Sequence, residues 1–336
     1  MAVNLAMQIG DQCWLLLTGF MDMRTLPCFG ILLAASVLWL AMPQTASAGE
    51  SPAWQACAGA ASTPEDRASA CSQIIDAKVE IGSRLAGAYC IRGEAFTEKR
   101  DFDRALADLD EAVRIDPDYA CAWTNRGRVY ALKGDPDRAI ADYGQAIRVD
   151  PNFALAFNNR GDAWFGKGDA VRAMADFSAA IKLNPKLSIA WGNRGFLHYR
   201  MHDFPHAIAD YSEQIKLKPS VLAYINRGNA FRDSEQLDKA AADYGEVIKL
   251  APADARGWRN RGLIRFFQGN NKGGVADYDK ALQYDPADVD SWNNRAQGKM
   301  RLGDKAGAIA DFKKALELLP DLKSARDSLT ALGVKS

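Results

Sequence analysis

Apolar and polar positions along residues 86–322 follow a pattern with two periods. Locally, apolar side chains fall three and four residues apart, the spacing that lays them on one stripe of a helix. On a longer scale the whole pattern returns. The glycine of an Arg–Gly pair recurs as Gly93, Gly127, Gly161, Gly195, Gly228 and Gly262, at spacings of 34, 34, 34, 33 and 34 residues, and Ala296 follows 34 further on. Counting that glycine as position 8 defines seven units: 86–119, 120–153, 154–187, 188–220, 221–254, 255–288 and 289–322. Position 4 is always aromatic, from Tyr89 and Trp123 to Trp292. Position 20 is alanine except for Gly274, and position 24 is Leu109 followed by six rings, Tyr143 to Phe312. Position 32 is always proline, Pro117 to Pro320.

Positions 4, 8 and 11 share a stripe of one helix, and 20, 24 and 27 a stripe of the next. Each unit therefore predicts a helical hairpin, with small residues at 8 and 20 allowing close approach and the rings filling the space beside them. Gly134, Gly168, Gly269 and Gly303 break the chain between the helices. Asp135, Asp169, Asp203 and Asp304 then stand where a helix N-cap is wanted. Proline at 32 cannot continue the second helix. Such a hairpin is too small to bury its own apolar face, so stacked copies must share one core. Residues 49–85 read as a degenerate N-terminal helical pair, "DRASACSQII" echoing the later "DRALADLDEA", and 323–336 as a C-terminal capping helix.

These anchors closely resemble the tetratricopeptide repeat (TPR) family, whose W-x-x-L-G-x-x-Y, A-x-x-x-F and P pattern matches at nearly every unit. The resemblance implies an all-α fold, a right-handed superhelix of helix pairs in which the first helices line a concave groove. It also implies a protein or peptide ligand and no chemistry of the protein's own.

Two columns need a separate explanation. Position 7, usually Leu in the family, is Arg in all seven units, including Arg126, Arg160 and Arg194; position 23 is Asp in all seven, including Asp142, Asp176 and Asp210. A charge beside a packing seam needs a partner. A ligand site would be used by a few repeats rather than all, so these are expected to be structural ion pairs. Asn at position 6 (Asn159, Asn193, Asn226 and Asn260 among them) is turned about 100° from the arginine. It reads either as a ligand contact or as a repeat-to-repeat hydrogen bond.

By family analogy positions 2, 5, 9, 12 and 13 face the groove. In the middle units these hold Leu155, Phe165, Ile189, Phe196, Tyr199, Leu222, Ile225 and Phe266, with Arg232, Arg256 and Arg259 nearby. An apolar stripe edged by polar groups reads as a contact surface. The expected function is a non-catalytic scaffold binding an extended segment, with groove-to-groove self-association as the alternative. The pattern lacks the two-carboxylate clamp arrangement, which excludes chaperone C-terminal tails as the expected ligand.

Composition narrows this further. Lys plus Arg equals Asp plus Glu, at 42 each, so no nucleic-acid partner is expected. The only histidines are His198, His202 and His206. On one helix they would share a stripe, but they fall at positions 11, 15 and 19, with the interhelix turn between them. No metal, cofactor or enzymatic role is therefore expected.

Residues 1–48 read as an N-terminal extension plus a secretory signal peptide: Arg24, an apolar run from Phe29 to Met42, and Ala46-Ser47-Ala48 as a cleavage site. Met21 or Met23 would be a more ordinary start, and an uncleaved anchor is the alternative. An exported protein, periplasmic or secreted, meets an oxidising compartment. Cys57 and Cys71, on the two short helices of the degenerate pair, are expected to form a disulfide. Cys90 and Cys121 either form a second bridge or stay reduced.

Overall fold

The computed structural model describes residues 51–59 and 63–334, so the expected signal segment lies outside the described residues. Among these there are 17 helices and no strand. They fall into two compact units, one ending at Leu183 and one beginning at Asn184.

The N-terminal unit holds α1 (Pro52–Ala58), α2 (Pro64–Ala77), α3 (Gly82–Glu98), α4 (Phe102–Ile115), α5 (Ala120–Leu132), α6 (Pro136–Val149), α7 (Ala154–Gly166) and α8 (Ala170–Leu183). The C-terminal unit holds α9 (Ser188–Arg200), α10 (Phe204–Leu217), α11 (Val221–Asp233), α12 (Leu237–Leu250), α13 (Ala255–Phe267), α14 (Asn271–Tyr284), α15 (Val289–Arg301), α16 (Lys305–Leu318) and α17 (Lys323–Ala331). Within each unit every helix packs on the next, and first helices of successive hairpins also touch, as α3 does α5 and α5 does α7. The first hairpin starts earlier than the repeat count places it, because α3 reaches back to Gly82.

Each packing rule has a visible cause. Where the interhelix position is glycine the backbone is left-handed, φ +79° at Gly134 and +84° at Gly303, a conformation that costs glycine little. The cap aspartates accept from the backbone amide three residues on, as in Arg138 N to Asp135 at 3.0 Å and Arg172 N to Asp169 at 3.0 Å. The alanines at position 20, Ala105 to Ala308, have no exposed surface in either unit. Glycine at position 8 is required by the ring at 24: a Cβ on Gly127 would sit 2.8 Å from Tyr143 Cε1. Tryptophan at position 4 adds a lock of its own. Nε1 of Trp123, Trp258 and Trp292 donates to the carbonyl of Pro117, Pro252 and Pro286, at 2.8–2.9 Å, tying each first helix to the turn that precedes it.

The N-terminal pair is held differently. Cys57 and Cys71 form a disulfide joining α1 to α2, with a Cα–Cα distance of 4.9 Å. Trp54 Nε1 donates to Glu80 at 2.8 Å, and Arg84 lies over the Trp54 ring. No helix among the described residues is long and apolar enough to cross a membrane.

Candidate functional site

The arginine column is built into the hairpins. In all seven repeats the guanidinium of position 7 bonds the carboxylate of position 23 through Nε and Nη2; Arg126 to Asp142, Arg160 to Asp176 and Arg194 to Asp210 are all at 2.8 Å. Two parallel bonds fix the planar fork. The same guanidinium stacks on the ring at position 4, 4.7 Å from Trp123 and 4.6 Å from Trp292. The third nitrogen reaches the previous hairpin. Nη1 of Arg126, Arg227 and Arg295 donates to Asp110, Ser212 and Asp279, at 2.7–3.0 Å, and Arg92 Nη1 donates to Ser72 on α2. The pair is therefore a node joining ring, second helix and neighbouring repeat. Between repeats the acceptors of this third nitrogen stand at position 25, a column that also holds Gly144 and Gly245.

The asparagines are used unevenly. Asn125 donates from Nδ2 to Cys90 Sγ at 3.3 Å, across from α5 to α3, and Asn159 Oδ1 accepts from Asn158. Asn159, Asn193, Asn226 and Asn260 are all half-buried. Cys90 is a free, buried thiol, so no Cys90–Cys121 bridge forms, and burial pushes its pKa up to about 12.

The two units present different first-helix faces. At position 9 the N-terminal unit shows Glu94, Arg128 and Asp162. Burial raises the Glu94 carboxyl above its ordinary range, with Arg128 opposing the shift. The carboxyl of Asp162 is likewise raised by surrounding protein, although the residue remains exposed to water. Leu155 and Phe165 of this unit are half-buried. The C-terminal unit shows Phe196, Asn229, Leu263 and Gln297 at the same position. Ile189, Phe196, Tyr199, Leu222, Arg256 and Arg259 there are half-buried, while Phe267 is 59% exposed. Tyr199 donates to Asp233 at 2.5 Å, and Arg232 holds the same carboxylate.

Two expected groove residues belong to the interior. Ile225 is 8% and Phe266 7% exposed. The Phe266 ring lies 5.3 Å from that of Tyr278 and occupies space left by two glycines: a methyl group on Gly274 or Gly298 would run into it. Gly274, the one residue at position 20 that is not alanine, lets the ring turn inward.

The histidines also depart from expectation. His202 takes the left-handed turn at φ +59°, and the chain doubles back on itself. The turn separates His202 from the other two but stacks His198 on His206, with centroids 5.1 Å apart and planes at 24°. Asp203, the cap of α10, lies beside both, 2.7 Å from His206 Nδ1 and 3.3 Å from His198 Nδ1. The hydrogen bond from His206 holds the Asp203 carboxyl below its usual range.

Comparisons with known proteins agree with this architecture. Models of the tetratricopeptide repeat match residues 120–153 and 289–322, and a TPR repeat model matches 93–134 and 228–269. Among solved structures, the C-terminal part of a TPR repeat-containing protein from Cytophaga hutchinsonii superposes with a TM-score of 0.60 at 19% identity, over 71% of this chain and 99% of that one. YrrB, described as a TPR protein with an unusual peptide-binding site, gives 0.51 at 16%, over 56% and 97%. The APC/C hetero-tetramer Cut9–Hcn1 gives 0.54 at 15% over 80% of this chain, which spans only about half, 52%, of the chain it matches. A comparison with curated proteins returned no match. With the helix pairs, the anchor residues and the repeat models in agreement, the chain is a tetratricopeptide-repeat protein.

Proposed function

We propose that this protein is a non-catalytic scaffold of the cell envelope that holds an extended protein segment on the first-helix face of its C-terminal unit. The observation that carries the reading is the apolar surface left over there once the repeats have packed. Phe267 is 59% exposed, and Leu263, Leu222, Phe196 and Tyr199 are half-buried on the same set of helices. Exposed rings edged by polar groups are the usual mark of a contact surface. Arg256, Arg259 and Asn260 on α13 would meet the backbone or acidic side chains of the bound segment. YrrB, a protein of the same fold, is described as having a peptide-binding site, which supports the general kind of ligand. The Cys57–Cys71 disulfide supports an oxidising compartment.

The test is site-specific photocrosslinking in intact cells. A photoreactive residue at Leu263 or Phe267 should give adducts with another protein, whereas one at Val171, 82% exposed on a second helix, should give none. Adducts from Val171 alone would place the contact elsewhere. Adducts of twice the chain mass from Phe267 would replace this reading by groove-to-groove self-association.

A further inference from the structure

The fourth repeat replaces a structural device that its neighbours share. In the three preceding hairpins an arginine at position 19 pairs with the cap aspartate and lies over a ring at position 11. Arg104 is 4.4 Å from Phe96, Arg138 is 4.4 Å from Tyr130 and Arg172 is 4.3 Å from Trp164. Their cap partners are Asp101, Asp135 and Asp169. In the fourth hairpin both stacking partners are histidine, while the cap aspartate stays. The geometry of the stack survives, but its chemistry changes from a fixed cation on an arene to two imidazoles and a carboxylate.

We propose that His198, Asp203 and His206 form a binding site for a divalent transition-metal ion of the zinc class. One ligand atom from each lies within 4.8 Å of the other two. Zinc to imidazole or carboxylate distances are about 2.0–2.2 Å, and tetrahedral ligands then stand roughly 3.3–3.5 Å apart. His198 Nδ1 to Asp203 is already 3.3 Å, and the Asp203–His206 contact at 2.7 Å needs only to open slightly. A further observation points the same way. His198 Nδ1 is a buried nitrogen without a hydrogen-bond partner, which is costly unless something occupies it. Its other nitrogen, Nε2, faces the buried carboxylate of Asp210 at 3.9 Å. That separation is about 1 Å too long for the hydrogen bond that orients a metal-binding histidine, so the ring would have to shift towards Asp210 to gain it.

Two imidazoles and one carboxylate suit zinc, copper or nickel rather than magnesium or calcium. His206 is 70% exposed on its side chain, so a fourth position would be open to water. The ion would clip the C-terminal end of α9 to the first turn of α10. Binding would release any proton held by the imidazoles.

The chain contains only three histidines, which makes a tag-free preparation a direct test. Adding zinc chloride at pH 7.5 should shift the ring-nitrogen NMR signals of two imidazoles and leave the third, His202, in place. Calorimetry should give one site per chain. The double variant His198→Tyr with His206→Arg restores the stack of the neighbouring repeats, so it should fold and melt like the parent. Its zinc affinity should fall by at least about 10-fold, the lower end of what even outer-shell changes cost. Retained affinity in that variant would overturn the assignment. So would unmoved imidazole signals in the parent, a result that does not depend on how the variant folds. Neither outcome bears on the protein-binding face.

Discussion

Removing Asp142 should expose what the arginine column contributes. In the folded chain Arg126 keeps 17% of its side chain exposed and Asp142 only 8%. Asp142→Ala leaves a guanidinium that still stacks on Trp123 and still reaches Asp110, but has lost the two bonds at 2.8 Å that face the seam. Stripping one partner from a buried pair costs about 3–5 kcal/mol. Partial water access to the arginine puts the expectation at the lower end, about 3 kcal/mol. For a cooperatively melting block of about 150–250 residues each kcal/mol moves the melting temperature by roughly 2–4 °C, giving a loss of about 6–12 °C if a unit melts by itself. Asp110→Ala removes the third bond of the same arginine from a carboxylate that is 58% exposed, and should cost no more than about 1 kcal/mol. Replacing the pair together, Arg126→Leu with Asp142→Leu, should recover much of the loss, because apolar replacement of a whole buried pair is often neutral or stabilising. Circular dichroism melts of the four proteins decide the matter. If Asp110→Ala cost as much as Asp142→Ala, or if neither moved the melt, the pair would not be what joins the two helices.

Gly127→Ala should destabilise by about 1–3 kcal/mol through overpacking, since its Cβ meets the Tyr143 ring and, at 3.1 Å, the carbonyl of Ala139. Gly144→Ala, in open space within α6, should instead stabilise by roughly 0.5–1 kcal/mol; equal urea midpoints for the two would refute the packing argument. Glu94 is held above its ordinary carboxyl range by burial, so its ionisation opposes folding. That cost is absent below the unfolded pKa of about 4.3 and grows as pH rises through the higher folded value. Glu94→Gln should therefore melt higher than the parent at pH 7, with the difference shrinking near pH 4; a lower melt at pH 7 would contradict the sign. Reducing Cys57–Cys71, which are 14 residues apart, should cost about 3 kcal/mol in the chain-entropy model, seen as faster amide exchange in α1 and α2 and little change in α13 to α16.

Much of this molecule could be read from spacing alone. The hairpins, the Gly127–Tyr143 type of contact and the cap aspartates follow from residues repeated at fixed offsets, where local periodicity and tertiary packing agree. What spacing missed lies where a column breaks. Phe266 was assigned to the outer face by its position, but Gly274 and Gly298 together open a space that only the three-dimensional stack reveals. Periodicity placed His198 and His206 apart because it holds only along a continuous helix. A tight antiparallel turn returns the chain beside its own last turn, so residues on either side of it become neighbours. The link from Arg Nη1 to the previous repeat was invisible for a related reason: its acceptor varies among Asp110, Ser212 and Asp279.

That variation gives the stack links of unequal strength. Where Asp110, Ser212 or Asp279 stands in other repeats, Arg160 faces Gly144 and Arg261 faces Gly245, neither of which offers a side-chain acceptor. In a linear array each repeat is held only by its neighbours, so opening should begin at its least cross-linked joints and spread from there. The junctions of α6 with α7 and of α12 with α13 lack that half-buried arginine link and are bridged instead by surface contacts, Lys167 to Asp137 and Gln268 to Asp238. A pulling force that parts either unit there breaks an exposed polar contact rather than a guanidinium bond set in the seam, and it releases whole hairpins as intact blocks.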